Sequence, residues 1–171
     1  MLIVYVDDIV ITGDGIFGIA GLKSFLAIKF EIKDIGNLRY FLGIEVASSM
    51  RGIYISQRKY VLDLRQEVGR LDCKPIETLI DPNHKLGVYE KDVLLDKGVY
   101  QRLIGCLLYL CLTRLDISYA MGVVSQYMHK PRSSHMQAVN RILAYLYECP
   151  GKGILYSNYG RQKVEAYSDV D

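Results

Sequence analysis

Asp7 and Asp8 stand side by side in an otherwise apolar run, Met1-Leu-Ile-Val-Tyr5-Val6-Asp7-Asp8-Ile9-Val-Ile-Thr12. Two carboxylates offered to one site suit a hard divalent cation such as Mg²⁺, which in phosphoryl-transfer chemistry takes oxygens from carboxylates and phosphates together. On a continuous strand neighbouring side chains point to opposite faces, and the pair would be split. A turn removes that objection. Asp tolerates turn conformations, and β-branched or aromatic residues flank the pair on both sides, so the spacing predicts a tight hairpin with the Asp pair at its tip. A solvated turn has the same composition, and the pair alone does not separate the two readings.

The chain that must position this tip has 171 residues, half of them hydrophobic, enough for one domain or for one domain and part of another. A net charge of +2 gives no bulk polyelectrolyte argument. The distribution says more. Met1 to Ala20 holds Asp7, Asp8 and Asp14 with no base, whereas the stretches Arg51 to Lys74 and His129 to Lys152 each carry a net +3. Such stretches suit a phosphate-backbone track, and equally a solvated face. Cys73, Cys106, Cys111 and Cys149 form no Cys-x-x-Cys pair and have no His at zinc spacing, and so read as reduced, buried thiols. The apolar runs before Asp7 and from Leu103 to Leu112 are too short for a signal peptide or a membrane span, which makes an intracellular protein without membrane contact the expectation.

Beyond the hairpin, periodicity predicts a helix over about 16–30, with Ile19, Leu22, Phe25, Leu26 and Ile28 on its buried side. A strand from Phe30 to a turn at Gly36 follows, and then a second hairpin made of Leu38 to Val46 and Gly52 to Ser56. Ser56 is placed to cap a helix over 57–68 that buries Tyr60, Val61, Leu64 and Val68 and leaves Arg58 and Lys59 outside. Residues 73–98 read as a connector. Three amphipathic helices then bury Tyr100, Leu103, Ile104, Leu107, Leu108 and Cys111; Ile117, Ala120, Met121, Val124 and Met128; and Met136, Val139, Leu143 and Leu146. Asp116 and Ser134 are the expected caps of the second and third, and Pro150-Gly151 ends the third.

Tyr5-Val6-Asp7-Asp8 resembles the palm hairpin of reverse transcriptases, and Leu2 to Asp14 resembles its form in copia (Ty1-like) retrotransposon Pol polyproteins. Phe41-Leu42-Gly43 ahead of a strand is similar to the primer grip, and Ser56-Gln-Arg-Lys-Tyr60-Val61 to the opening of the thumb. Tyr100-Gln-Arg-Leu-Ile-Gly105, Thr113-Arg-Leu-Asp116-Ile-Ser-Tyr-Ala120, Val124-Ser-Gln126 and Arg141-Ile-Leu-Ala-Tyr145-Leu resemble the helical region between polymerase and ribonuclease H. Val164 to Asp171 resembles the first ribonuclease H strand. Arg65 and Leu115 depart from the pattern, which has an apolar residue and a proline there.

The resemblance implies an α+β fold: a partial palm of β-hairpins plus a helix in 1–56, thumb and connection helices in 57–150, and the first strands of a truncated ribonuclease H-like domain in 153–171. It implies catalytic and metal-binding roles for Asp7 and Asp8, with Asp7 the stronger direct ligand, and a metal-binding role for Asp169. Nucleic-acid contacts fall to Tyr5, Phe41, Leu42, Gly43, Arg58 and Lys59. Lys33 takes the place of a general acid, although a strand lysine facing water fits it as well. His84 matches the family's connector and reads as a loop histidine. The implied cofactor is Mg²⁺ or Mn²⁺, and the implied partners are RNA/DNA primer-template and dNTPs, in a cytoplasmic virus-like particle or the nucleus. With Met1 falling inside the palm, the isolated chain is expected to be a truncated, inactive piece that exposes Leu2, Val4, Ile9 and Ile11. The alternatives are a non-catalytic RNA/DNA-binding remnant and a helical interaction module.

Overall fold

The computed structural model describes residues 1–68, 78–79 and 96–158. The expectations for Cys73, His84 and Asp169, and for the strand beginning at Val164, lie outside them. The fold mixes helices with two small sheets and divides into two units, residues 1–42 and 43–171.

In the first unit, strands β1 (Leu2–Tyr5) and β2 (Asp8–Ile11) pair antiparallel from Leu2↔Ile11 to Tyr5↔Asp8. The period of two puts Leu2, Val4, Ile9 and Ile11 on one face. Leu2, Val4 and Ile9 are exposed there and Ile11 half-buried. Helix α1 (Ile16–Lys29) forms where the spacing predicts it but buries no residue. Ile19, Leu22 and Leu26 are half-buried, while Phe25 and Ile28 are exposed, which corrects the expected buried side. The alternating segment after Phe30 is not a strand. A strand needs a neighbouring ladder. Instead Asp34 turns the backbone by accepting the Gly36 N–H at 3.0 Å, and it accepts Lys23 Nζ at 2.8 Å. The two-residue strand β3 (Tyr40–Phe41) closes the unit.

Among the described residues, the buried hydrophobic core lies in the second unit. Strands β4 (Ile44–Ser49), β5 (Gly52–Ser56) and β6 (Ile154–Ser157) lie antiparallel with β5 in the middle. The expected run from Leu38 to Val46 is broken, because Leu42 and Gly43 both take positive φ, +49° and +78°, and make a turn between β3 and β4. Gly52 and Gly153 allow β6 to dock. A Cβ on either would lie 2.0 or 2.1 Å from a backbone carbonyl oxygen, that of Tyr156 or of Ile55.

Helix α2 (Arg58–Val68) buries Val61 and Leu64. Helices α3 (Lys97–Leu110), α4 (Ser118–Ser125) and α5 (Ser133–Glu148) bury the expected stripes, with additions at Leu110, Ile142 and Tyr147. The exceptions are Leu108, which is exposed, and Cys111, Met128 and Met136, which are half-buried against the core.

The predicted caps are corrected: Ser56 and Asp116 have other partners, and Ser134 lies within its helix. Ser56 lies in β5 and donates to Glu45 Oε2 at 3.2 Å. Asp116 sits inside a 3-10 turn, Leu115–Ile117, and pairs with Arg114. Ser134 is already inside α5, whose first N–H groups are helped by His135, with Nδ1 accepting the Arg132 backbone N–H at 3.2 Å. The unforeseen cap is Asp96, whose Oδ1 accepts from Gly98 N and Val99 N at the start of α3. Cys106 and Cys111 are free and half-buried, but Cys149 is exposed, contrary to expectation. At the departing position Arg65, the guanidinium lies 5.3 Å from the centre of the Tyr147 ring, within cation–π range.

Candidate nucleic-acid site

The Tyr5↔Asp8 pair closes a two-residue loop made of Val6 and Asp7. Asp7 thus lies in the loop and Asp8 begins β2, so the carboxylates are not bound to the strict alternation of a continuous strand. Val6 takes φ +48°. That region costs a β-branched residue about 1–2 kcal/mol, and such strain concentrates at functional turns. Tyr5, Asp7 and Asp8 are all exposed. Lys33 is exposed in the irregular segment between α1 and β3.

Exposed carboxylates adjoining at a turn are hard oxygen donors that fit part of the shell of Mg²⁺ or Mn²⁺, which is completed by water and phosphate oxygens. Among the described residues no group of three or more His, Cys, Asp or Glu is placed to hold a metal ion.

The second unit carries Gly43, Arg58 and Lys59. Arg58 and Lys59 are exposed at the start of α2, and the Arg58 stem comes close to Gly151, where a Cβ would lie 3.5 Å from its Cδ. The start of α2 is fixed from below by Gln57, which is buried and accepts a 2.8 Å hydrogen bond from Thr113 Oγ1. Beside it, the buried Arg114 grips Asp116 through Nε and Nη2, both at 3.0 Å, and donates from Nη1 to the Cys149 carbonyl. Tyr145 Oη and Lys152 Nζ also donate to Asp116. Burial raises the Asp116 pKa, but the hydrogen bonds from Arg114, Tyr145 and Lys152 outweigh it and hold the carboxyl well below the usual carboxylate range.

Gln57, Thr113 and Arg114 were missed as structural determinants. Their sequence signal is faint: polar residues one step outside apolar stripes, whose partners lie 56 and 35 residues away.

Residues 1–82 match the family model for reverse transcriptase (RNA-dependent DNA polymerase). The chain is 41% identical over 99% of its length to the retrovirus-related Pol polyprotein from transposon RE1 of Arabidopsis thaliana, and 31% identical over its whole length to that from transposon TNT 1-94 of Nicotiana tabacum. It covers 12% and 14% of those polyproteins. An uncharacterized mitochondrial protein of Arabidopsis thaliana is 34% identical over 99% of the chain, which covers 70% of that protein. No solved structure matches the chain. The chain belongs to the reverse transcriptase family, in the branch of copia-type retrotransposon Pol polyproteins.

Proposed function

We propose that this chain carries the part of an RNA-directed DNA polymerase that holds a primer terminus against the catalytic carboxylates. The observation that carries the reading is the β1–β2 tip, where a β-branched residue accepts positive φ and Asp7 and Asp8 are exposed together. In this reading residues 1–56 are the later part of a palm with its primer grip at Phe41-Leu42-Gly43. Residues 57–150 are thumb and connection helices, β6 joins the β4–β5 hairpin, and the residues after β6 begin a ribonuclease H-like domain in which Asp169 is a metal ligand. Asp7 and Asp8 hold Mg²⁺ or Mn²⁺, which when bound stabilises charge on the transferring phosphoryl group and the attacking 3′-hydroxyl. Tyr5 lies beside the primer terminus, Arg58 and Lys59 neutralise backbone phosphates, and Lys33 is the proton donor to the leaving pyrophosphate.

The 171-residue chain alone is proposed to bind primer-template without extending it. Both faces of the hairpin and most of α1 are open to solvent, and a catalytic constellation on unpacked elements is not held to the sub-ångström tolerance that catalysis needs. Primer extension on poly(rA)–oligo(dT) with Mg²⁺ or Mn²⁺ tests this, with no extension expected. Extension abolished by Asp7→Asn overturns it.

A second reading, a helical interaction module without nucleic-acid binding, draws on the placement of the buried core in the second unit. It predicts cooperative unfolding with no affinity for a hybrid duplex.

A further inference from the structure

The buried stripe of α3 runs through Tyr100, Leu103, Ile104, Leu107 and Leu110. Tyr109 is not on it. Two residues beyond Leu107, at about 100° per residue, its side chain leaves on another side of the helix, where it is half-buried. There it meets Gly43. A Cβ on Gly43 would lie 3.5 Å from Tyr109 Cε1, 3.6 Å from its Oη and 3.9 Å from Tyr60 Cδ2. The Tyr60 and Tyr109 rings themselves meet edge to face with centroids 5.3 Å apart, a geometry that aromatic pairs favour.

These contacts join three segments that are far apart in sequence. Gly43 belongs to the positive-φ turn, Tyr60 follows Arg58 and Lys59 on the first turn of α2, and Tyr109 comes from α3. Glycine at position 43 accepts φ +78°, and a Cβ added there would only touch the rings at ordinary contact distance.

We propose that Tyr109 is a positioning residue for the Leu42–Gly43 turn, and that with Tyr60 it sets that turn at a fixed distance from the basic start of α2. The inference rests on reading the turn as a primer grip. It assigns a role to a tyrosine in the helical region, where the motifs point to no chemistry. A duplex held at its terminus by the turn and along its backbone by Arg58 and Lys59 needs both in register, and the two rings provide it.

The test uses the full chain as wild type, Tyr109→Phe and Tyr109→Leu. Hydrogen exchange is followed over residues 41–46 and, as a reference, over the core of α5. Binding to a fluorescent RNA–DNA hybrid with a recessed 3′ end is measured in parallel. Loss of one aromatic pair is expected to speed exchange over 41–46 and weaken hybrid binding by about tenfold in the Leu variant. The Phe variant keeps the ring pair and stays nearer wild type than the Leu variant in both, and α5 is unchanged in all three. Unchanged exchange over 41–46 in Tyr109→Leu, with wild type still binding, overturns the positioning role and leaves the grip reading standing. Faster exchange over 41–46 with no hybrid binding by wild type overturns the grip reading, and the register role with it. Loss of α5 protection in the Leu variant shows the ring to be core packing and also overturns the proposal.

Discussion

Three residues decide more than their neighbours. Val6 holds the tip of the first hairpin at positive φ, Gly43 does the same for the second turn against Tyr109, and Asp116 gathers Arg114, Tyr145 and Lys152. Gly43→Ala adds a side chain where the ring leaves ordinary contact distance, so the cost is conformational. We expect a loss of about 1 kcal/mol in urea unfolding, from the αL penalty alone. Asp116→Asn is more severe, because it leaves the buried Arg114 without a counter-charge. We expect about 2 kcal/mol at neutral pH, less than for a fully buried ion because Asp116 keeps some contact with water. The folded-state pKa of Asp116 lies below that of an unfolded Asp, about 3.9. The carboxylate's stabilisation is therefore complete above that value and is lost as the pH falls further. The gap between wild type and Asp116→Asn should shrink from pH 7 to pH 3. A gap that is constant with pH removes the ionic account.

At the scale of elements, the helices were legible because apolar stripes at helical spacing are local and redundant. Tyr100, Leu103, Ile104 and Leu107 are all buried, as are Ile117, Ala120, Met121 and Val124. The first hairpin was legible for a similar reason, since Asp-containing turns between β-branched runs are specified within about ten residues. Caps were not. Ser56 and Asp116 found partners nearby in space, Glu45 and Arg114, that outcompeted helix ends. The alternation after Phe30 misled because a strand is defined by its neighbour, and Asp34 drew the backbone into a turn with Gly36. The contact of Gly43 with Tyr109 was illegible in principle, since no local pattern encodes a pairing across 66 residues. Strand β6 offers an element-scale test. Gly153→Ala puts a Cβ against the Ile55 carbonyl at 2.1 Å, a clash with backbone that no rotamer relieves. We expect limited proteolysis to cut between Gly151 and Ser157 in the variant and to spare wild type. Equal resistance of the two would show that the strand can shift to accept the methyl.

At the scale of the molecule, apolar surface is divided unevenly. The buried core lies in the second unit, while Phe17, Phe25, Ile28 and Ile35 of the first are each more than half exposed. In a polymerase of this family the two carboxylates must be held firmly and the duplex must be tracked. In the proposed reading the second unit, with its core and the exposed Arg58 and Lys59, does the tracking. The measurement that tests the central claim most directly is equilibrium binding of the full chain to a fluorescent RNA–DNA hybrid at low and moderate salt, with a cooperative melt as the check of folding. Two phosphate contacts, from Arg58 and Lys59, predict a Kd that rises about tenfold between about 50 and 200 mM salt, and a much flatter dependence when both are changed to Ala. A folded chain that does not bind the hybrid, or binds it with no dependence on salt, contradicts the account.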